Sequence, residues 1–141
     1  MVVKITFLKK QYVNEAREVI EELKESGFRV VNGRNSDELT STQIYNLLAS
    51  TTPLHNAART QRSDTYDDRI TAIRINAIYQ SGRNKAVKKL VETSKMLNIL
   101  EDITEEEDLK KKREYILRFC KYMEALVAYF KFFGGKDKEK D

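Results

Sequence analysis

The side chains best suited to chemistry in this sequence are basic, and they concentrate between residues 59 and 95. They form an arginine series and then a mixed group around Gly82, which are Arg59, Arg62, Arg69 and Arg74, followed by Arg83, Lys85, Lys88 and Lys89. Guanidinium and ammonium groups bind phosphate, and a helix that starts after Gly82 would add its free N–H groups. A charged helix face is most often only a solvated face, so this pattern favours RNA binding weakly.

Two tyrosines accompany these basic residues. Tyr66 and Tyr79 could stack on bases, as aromatic side chains do in proteins that bind single strands. Tyrosines at helical spacing are more often core members whose hydroxyl reaches water. The core interpretation is therefore the stronger one at both positions.

Groups that could catalyse a reaction or hold a metal are isolated from one another. His55 is the sole histidine and has no cysteine at ligand spacing, which argues against a zinc site. Cys120 lies on an apolar stripe, which favours core packing over a nucleophilic role. The carboxylates at 105–108 stand at a predicted helix start, where complementing the helix dipole outweighs Mg²⁺ binding. With no Gly-rich nucleotide loop either, the sequence predicts no active site, no metal and no cofactor.

Composition limits the class of protein. The chain has 141 residues and is 40% hydrophobic, which suits one buried core. We expect a single helical domain over residues 1–135 and a charged, disordered tail over 136–141. A net charge of +4 gives a mild preference for anionic partners. No apolar stretch approaches the roughly 20 residues that cross a membrane, and a single cysteine fits a reducing compartment, so we expect a cytoplasmic protein without membrane partners.

Apolar residues at helical spacing predict an all-α fold, a compact bundle of about five helices. The predicted helices span 12–25, 40–52, 70–82, 84–97 and 105–133. Capping-box spacing places helix starts at Thr40 and Thr104, and the last helix, about 40 Å long, would be the spine of the bundle. The polar segment 53–69 predicts a loop, a poorly packed turn or a mobile helix start. Residues 2–8 and 28–31 predict a short extended ribbon.

Three segments resemble a known family, the small subunit of the type III-A (Csm) CRISPR-Cas effector complex. The stretch FCKYMEALVAYFKFFGGKD at 119–137 is similar to the family's C-terminal signature, and IRINAIYQSGRNKAVKKLVE at 73–92 resembles its central pattern. LTSTQIYNLL at 39–48 resembles a third signature, in which Tyr45 replaces a typical arginine. The resemblance covers most of the chain apart from residues 1–11, 53–69 and the tail.

The resemblance implies a non-catalytic subunit for antiviral defence, with copies that sit beside the backbone subunits, clamp guide RNA and target RNA, and connect to the large subunit. A protein that accepts any target must hold sugar and phosphate while base pairing supplies specificity. We therefore expect nine basic residues to contact RNA, namely Arg59, Arg62, Arg74, Arg83, Lys85, Lys88, Lys89, Lys121 and Lys131. Phe132 or Phe133 is expected to touch a neighbouring subunit.

Other classes of function stay open from the residues alone. The chain could be a helical protein-interaction module whose arginines meet acidic partner surfaces, without RNA affinity of its own. A helical DNA-binding regulator is more distant, because no short helix-turn-helix spacing stands out. Contacts with neighbouring copies are expected in the complex, and a homodimer of the isolated chain is as well supported as a monomer.

Overall fold

A computed structural model describes residues 11–136, in which helices surround the long C-terminal one and the extended part is a single hairpin. The elements are α1 (Tyr12–Lys24), β1 (Arg29–Asn32), β2 (Asn35–Glu38), α2 (Ser41–Ala49), α3 (Thr52–Arg59), a 3₁₀ turn (Ser63–Thr65), α4 (Tyr66–Arg83), α5 (Lys85–Ser94), α6 (Met96–Glu105) and α7 (Leu109–Phe132). The predicted all-α bundle with a long last helix is confirmed.

Helix α7 is the centre of this bundle. At 24 residues it is about 36 Å long, and α1, α2, α3 and α6 all pack on it. The predicted apolar stripe is buried at Ile116, Phe119, Cys120, Met123, Val127 and Phe130. The two ends of the stripe differ from the prediction, since Leu109 is exposed and Phe133 is half-buried. Burial of the central stripe supplies most of the reason for this helix to form, because propensity alone gives marginal helices.

The start of α7 lies later than the sequence predicts. Thr104 belongs to α6, where its hydroxyl donates to the Leu100 carbonyl at 2.9 Å. Asp108 caps α7 instead, and one carboxylate oxygen accepts from the backbone N–H groups of Lys110 and Lys111 at 3.0 and 3.2 Å. The capping box predicted at Thr104 is therefore wrong, because burial of Ile103 keeps that segment in the preceding helix. The box at Thr40 is confirmed.

The extended segment forms a local hairpin. Strand β1 pairs antiparallel with β2, with Arg29 opposite Glu38 and Asn32 opposite Asn35. Gly33 takes a φ of +65° in the two-residue loop, a conformation that glycine adopts at little cost. The pairing predicted with residues 2–8 falls outside the described residues, and so do residues 137–141 of the predicted tail. Lys136 lies inside them, and its carbonyl accepts from the backbone N–H of Ser41 at 2.9 Å.

Residues 53–69 are helical over much of their length, so the interpretation of this segment as a loop or poorly packed turn is wrong. Leu54, Ala57 and Ala58 follow i, i+3, i+4 spacing and are buried, and α3 packs on α7. Pro53 sits in the first turn, where its missing N–H costs nothing. Arg113 of α7 fastens the end of α3 by donating from Nε to the Ala58 carbonyl at 2.6 Å.

The predicted helix over 84–97 is divided in two. Lys95 has a φ of +60° and ends α5, after which α6 runs in a new direction. The break is held from both sides, because the Ser94 hydroxyl accepts from the Met96 N–H at 3.3 Å and the Ser94 carbonyl accepts from the buried Tyr122 hydroxyl at 2.9 Å. This division and α3 raise the helix count above the predicted five.

Candidate nucleic-acid interface

One group of basic residues lies at the corner between α3 and α4. Arg59 is exposed in the last turn of α3, and Gln61, with a φ of +57°, turns the chain so that Arg62 follows on the surface. Arg62 and Arg69 line a groove of about 320 Å³, together with Thr52, Pro53, Asn56, Ala57, Thr60 and Thr65. The corner therefore presents three exposed guanidinium groups beside a concave, hydroxyl-rich surface.

A second group surrounds the junction between α4 and α5. Asn84 caps α5 by accepting from the N–H groups of Ala86 and Val87 at 2.8 and 3.0 Å, as the sequence predicts. Lys85 and Lys88 are exposed at this positive helix end. The Arg83 guanidinium lies over the exposed ring of Tyr79, 5.7 Å from its centroid. The Asp37 carboxylate already accepts from the Lys85 backbone N–H at 2.7 Å, so a phosphate would meet the exposed cationic side chains, beside the face of Tyr79, and not the helix N–H groups.

Helix α4 sets the distance between these two groups. It has 18 residues, so Tyr66 and Arg83 are about 26 Å apart along its axis. Ile75 and Ile78 are exposed between them. We call the two groups the corner group (Arg59, Arg62, Arg69) and the junction group (Arg83, Lys85, Lys88). They lie at the two ends of α4 and do not form a single unbroken row.

Other predicted contact residues lie apart or have acidic neighbours. Arg74 is half-buried on α4 and reaches Glu101 at 3.8 Å, and Lys121 on α7 reaches Glu124 at 3.7 Å. Lys131 is exposed near the end of α7 and is engaged by another group of the chain. Arg74 lies on α4 between the two groups, whereas Lys121 and Lys131 are on α7. Cations that are paired with carboxylates attract phosphate less, so Arg74 and Lys121 are weaker candidates for RNA contact.

Lys89 faces an acidic surface. It lines a groove with four glutamates of α1 and its end, which are Glu18, Glu21, Glu22 and Glu25. Helix α1 packs mainly on α7 and α5, whereas α4 packs on α5, α6 and α3. The acidic groove thus lies between α1 and α5, and its glutamates would repel an RNA strand.

The tyrosine alternatives resolve differently at the two positions. Tyr66 is 1% exposed and belongs to the core, where burial raises its pKa. Tyr79 is 60% exposed, so its ring is open to a stacking partner. Among residues 11–136, no cluster of histidine, cysteine and carboxylate side chains has the geometry to hold a metal ion.

Cys120 is a core residue. Its side chain is 2% exposed, and burial, with a smaller contribution from Glu124, raises the pKa of the thiol to about 12. Thiolate, the nucleophilic form, is therefore scarce at neutral pH. The raised pKa also links to folding, because its contribution to stability is complete below the ordinary pKa near 9 and is lost as pH rises towards 12.

We expect native Cys120 to resist alkylation. Iodoacetamide at mildly alkaline pH should modify the folded chain at least about a hundredfold more slowly than the urea-unfolded chain, because the thiol is both buried and protonated. Intact-mass spectrometry over time gives both rates. Rapid modification of the folded protein would show an accessible, activated thiol and would reopen a nucleophilic role.

Sequence comparisons identify the family to which this arrangement belongs. The model of the family described as Csm2 Type III-A matches residues 9–136. The chain belongs to the Csm2 family. The predicted family is therefore confirmed. The match also covers residues 53–69, a segment outside the three motifs that carry the resemblance.

Curated relatives extend the match. A protein named "CRISPR system Cms protein Csm2" from Streptococcus thermophilus is 42% identical over 99 residues, which are 70% of this chain and 76% of the relative. The protein of that name from Mycobacterium tuberculosis (strain CDC 1551 / Oshkosh) is 39% identical over 109 residues, covering 74% and 83% of the two chains. That from Enterococcus italicus is 34% identical over 135 residues, covering 89% and 91%. No helix in residues 11–136 has the length and apolar character to span a membrane.

The sequence-based set of nine contacts omits one residue that the groove includes. Arg69 follows Arg62 by seven positions in the same arginine series. It lines the groove together with Arg62 and with residues from the start of α3. The omission follows from treating 53–69 as a loop, in which neighbouring side chains have no fixed relation. The spacing of Leu54, Ala57 and Ala58 is the signal that could have predicted α3 and thereby the groove.

Proposed function

We propose that this protein is the non-catalytic small subunit of a type III-A RNA-guided complex, in which it holds guide RNA and target RNA by sugar and phosphate. The backbone and large subunits of the complex would be its protein partners, and antiviral defence in the cytoplasm its setting. The observation that carries the proposal is membership of the Csm2 family over residues 9–136. The corner and junction groups, at the two ends of α4, supply the physical means.

Contacts from these groups suit binding without sequence preference. Both groups are cationic and exposed, and α4, which carries Arg69 of one group and Arg83 of the other, sets the distance between them. Cations on such a frame bind the regular charge of a strand, while base pairing with the guide reads sequence. Neighbouring copies of the same chain would extend the track along the RNA.

The non-catalytic assignment draws support from the positions of the groups that could have reacted. Cys120 is buried as a thiol, and Asp108 caps α7 with its carboxylate. The carboxylate of Glu106 accepts from the Asp108 N–H at 3.1 Å. Each of these side chains therefore has a structural role at its position.

A second candidate function is a protein-interaction module without RNA affinity of its own. The observation that favours it is the apolar surface of α4, where Ile75, Ile78 and Tyr79 are 62%, 56% and 60% exposed. Exposed apolar residues clustered on one helix face are typical of protein contacts. The two functions differ in whether the isolated chain binds RNA.

The test is binding of fluorescent oligouridine to the full-length chain, measured by anisotropy at several salt concentrations. We expect weak binding without sequence preference, and a log–log salt plot that falls linearly with a slope of about −0.7 per phosphate neutralised. Four to six neutralised phosphates, about one for each cation of the corner and junction groups, would give a slope of roughly −3 to −4. Absence of binding at low salt would favour the protein-interaction module, as would binding that does not respond to salt.

A further inference from the structure

We propose that the groove between α3 and α4 is a subsite for one nucleotide unit of RNA, with its phosphate between Arg62 and Arg69 and its ribose against Asn56 and Thr52. This inference rests on the proposed RNA-binding function and names the part of the RNA that the groove binds. It goes beyond a general attraction for phosphate, because it assigns sugar recognition to a defined set of side chains.

The groove collects hydrogen-bond donors that have no partner within residues 11–136. Neither the Arg62 nor the Arg69 guanidinium makes a hydrogen bond or ion pair there, in contrast to Arg74 and Arg113, which reach Glu101 and the Ala58 carbonyl. Donors that converge without acceptors call for a ligand that supplies acceptors, and a phosphate diester supplies two free oxygens.

Neutral donors complete the set. The Asn56 amide oxygen accepts from Arg59 at 3.4 Å, which leaves its NH₂ group without a partner in the described chain. The Thr52 hydroxyl is likewise without one, at the start of α3 where the helix dipole is positive. An amide NH₂ and a hydroxyl are the groups that bind a sugar hydroxyl, since the hydroxyl can both accept and donate.

The size of the groove fits one phosphate–ribose unit. Its volume of about 320 Å³ lies at the lower end of the range for small-ligand sites, roughly 300–1,000 Å³. Pro53 and Ala57 add apolar surface, against which the carbon face of a ribose can pack. One phosphate–ribose unit of an RNA strand is therefore the occupant that matches both the volume and the lining.

The lining is held in place before any ligand arrives. The Arg62 N–H donates to the Ala57 carbonyl at 2.8 Å, and the Thr65 hydroxyl donates to the Arg62 carbonyl at 2.7 Å. The Thr60 hydroxyl closes the end of α3 by donating to the Asn56 carbonyl at 2.8 Å. A backbone fixed in this way loses little entropy on binding, which distinguishes the groove from cations on mobile loops.

The proposal predicts that the chain prefers RNA to DNA. Phosphate attraction alone treats the two strands alike, whereas donors aimed at the ribose gain a contact only from the 2′-hydroxyl. Anisotropy with oligouridine and with oligodeoxyuridine of equal length measures the ratio of the two affinities. Three forms of the full-length chain are compared with the wild type: Arg62→Gln with Arg69→Gln, Asn56→Ala, and, as a control of equal charge change, Lys24→Gln with Arg34→Gln.

The expected results separate phosphate from sugar recognition. The Arg62→Gln, Arg69→Gln variant should lose about tenfold in affinity for both strands, as expected for two charge-assisted contacts that are partly solvated. Asn56→Ala should lose about threefold for RNA and nothing for DNA, and alanine keeps α3 intact because it favours helix. The control should stay within about twofold of the wild type, and circular dichroism melts should coincide for all four proteins.

The experiment distinguishes failure of the subsite from failure of the proposed function. A wild-type chain without RNA affinity overturns the proposed function and this subsite together. If the wild type binds RNA and the arginine variant behaves like the control, the subsite alone is overturned. If the wild type binds RNA and DNA with equal affinity and Asn56→Ala changes neither affinity, the nucleotide subsite is overturned. This holds even if the arginine variant binds RNA more weakly. Cross-linking of 4-thiouridine RNA gives an independent readout. Adducts are expected within residues 52–69, and adducts confined to other residues would contradict the subsite.

Discussion

Phe130→Ala should lower the free energy of unfolding by about 3–5 kcal/mol, the cost typical of removing a buried phenylalanine. The Phe130 ring is fully buried and meets Phe28 edge-to-face, with ring centroids 5.0 Å apart. It therefore joins α7 to the residue that precedes the hairpin. A loss of this size is a large part of the total stability of a domain, about 5–15 kcal/mol. Urea unfolding followed by circular dichroism measures it.

The matched control lies two residues further along the same helix. Phe132 is 77% exposed, so Phe132→Ala should change stability by no more than about 0.5 kcal/mol. Equal losses in the two variants would contradict the packing described here. Such a result would indicate that Phe132 is covered in solution, as contact with a second copy would do.

A double-mutant cycle with Gly135 makes the prediction sharper. A Cβ added at Gly135 would lie 2.5 Å from two carbons of the Phe130 ring, so Gly135→Ala should cost about 1–3 kcal/mol in the wild type. In the Phe130→Ala background the ring is gone, and the same change should cost almost nothing. The coupling between the two sites is the readout, and additive losses would show that the C-terminal residues do not lie over Phe130.

The sequence predicts the parts of the fold that depend on local patterns. The buried stripe of α7, the cap at Asn84 and the helix over 12–25 all follow from periodicity and end signals within a few residues. Sequence signals are weaker for the elements whose formation depends on tertiary packing. Ala57 and Ala58 carry little hydrophobic information by themselves, and they are buried because their small side chains let α3 approach α7. The break at Lys95 depends on a hydrogen bond from Tyr122, a residue far along the chain.

The candidate site, like the fold, depends partly on local sequence patterns and partly on tertiary packing. Residue type and spacing predict where cations concentrate, but which of them stay unpaired is decided by the tertiary structure. Arg74 meets Glu101 from another helix, and Lys89 faces glutamates of α1 more than sixty positions away. Arg62 and Arg69 share a groove only because the chain between them folds into a turn and a helix start. Single-sequence patterns hold no direct record of such distant pairings.

The largest effect on RNA binding is expected from the junction group. Arg83→Gln, Lys85→Gln and Lys88→Gln together remove the three exposed cations around the junction of α4 and α5. We expect affinity for oligouridine to fall about thirtyfold, which is roughly 2 kcal/mol, and the salt slope to become shallower by about 2. Glutamine keeps the length of these side chains and favours helix, so the melting temperature should hold.

Net charge must be separated from position, because lowering the charge from +4 to +1 weakens attraction for RNA by itself. A triple variant with the same charge change, Arg17→Gln, Lys24→Gln and Lys136→Gln, removes cations on α1 and at the end of the described chain. Arg17 and Lys24 lie over the Phe133 ring at 5.9 and 5.2 Å, on the helix that carries the glutamates of the acidic groove. This variant should lose less than about threefold, since an exposed charge acts over roughly a Debye length, near 10 Å. Equal losses in the two triple variants would mean that RNA responds to total charge alone, and the junction group would then have no special place in binding.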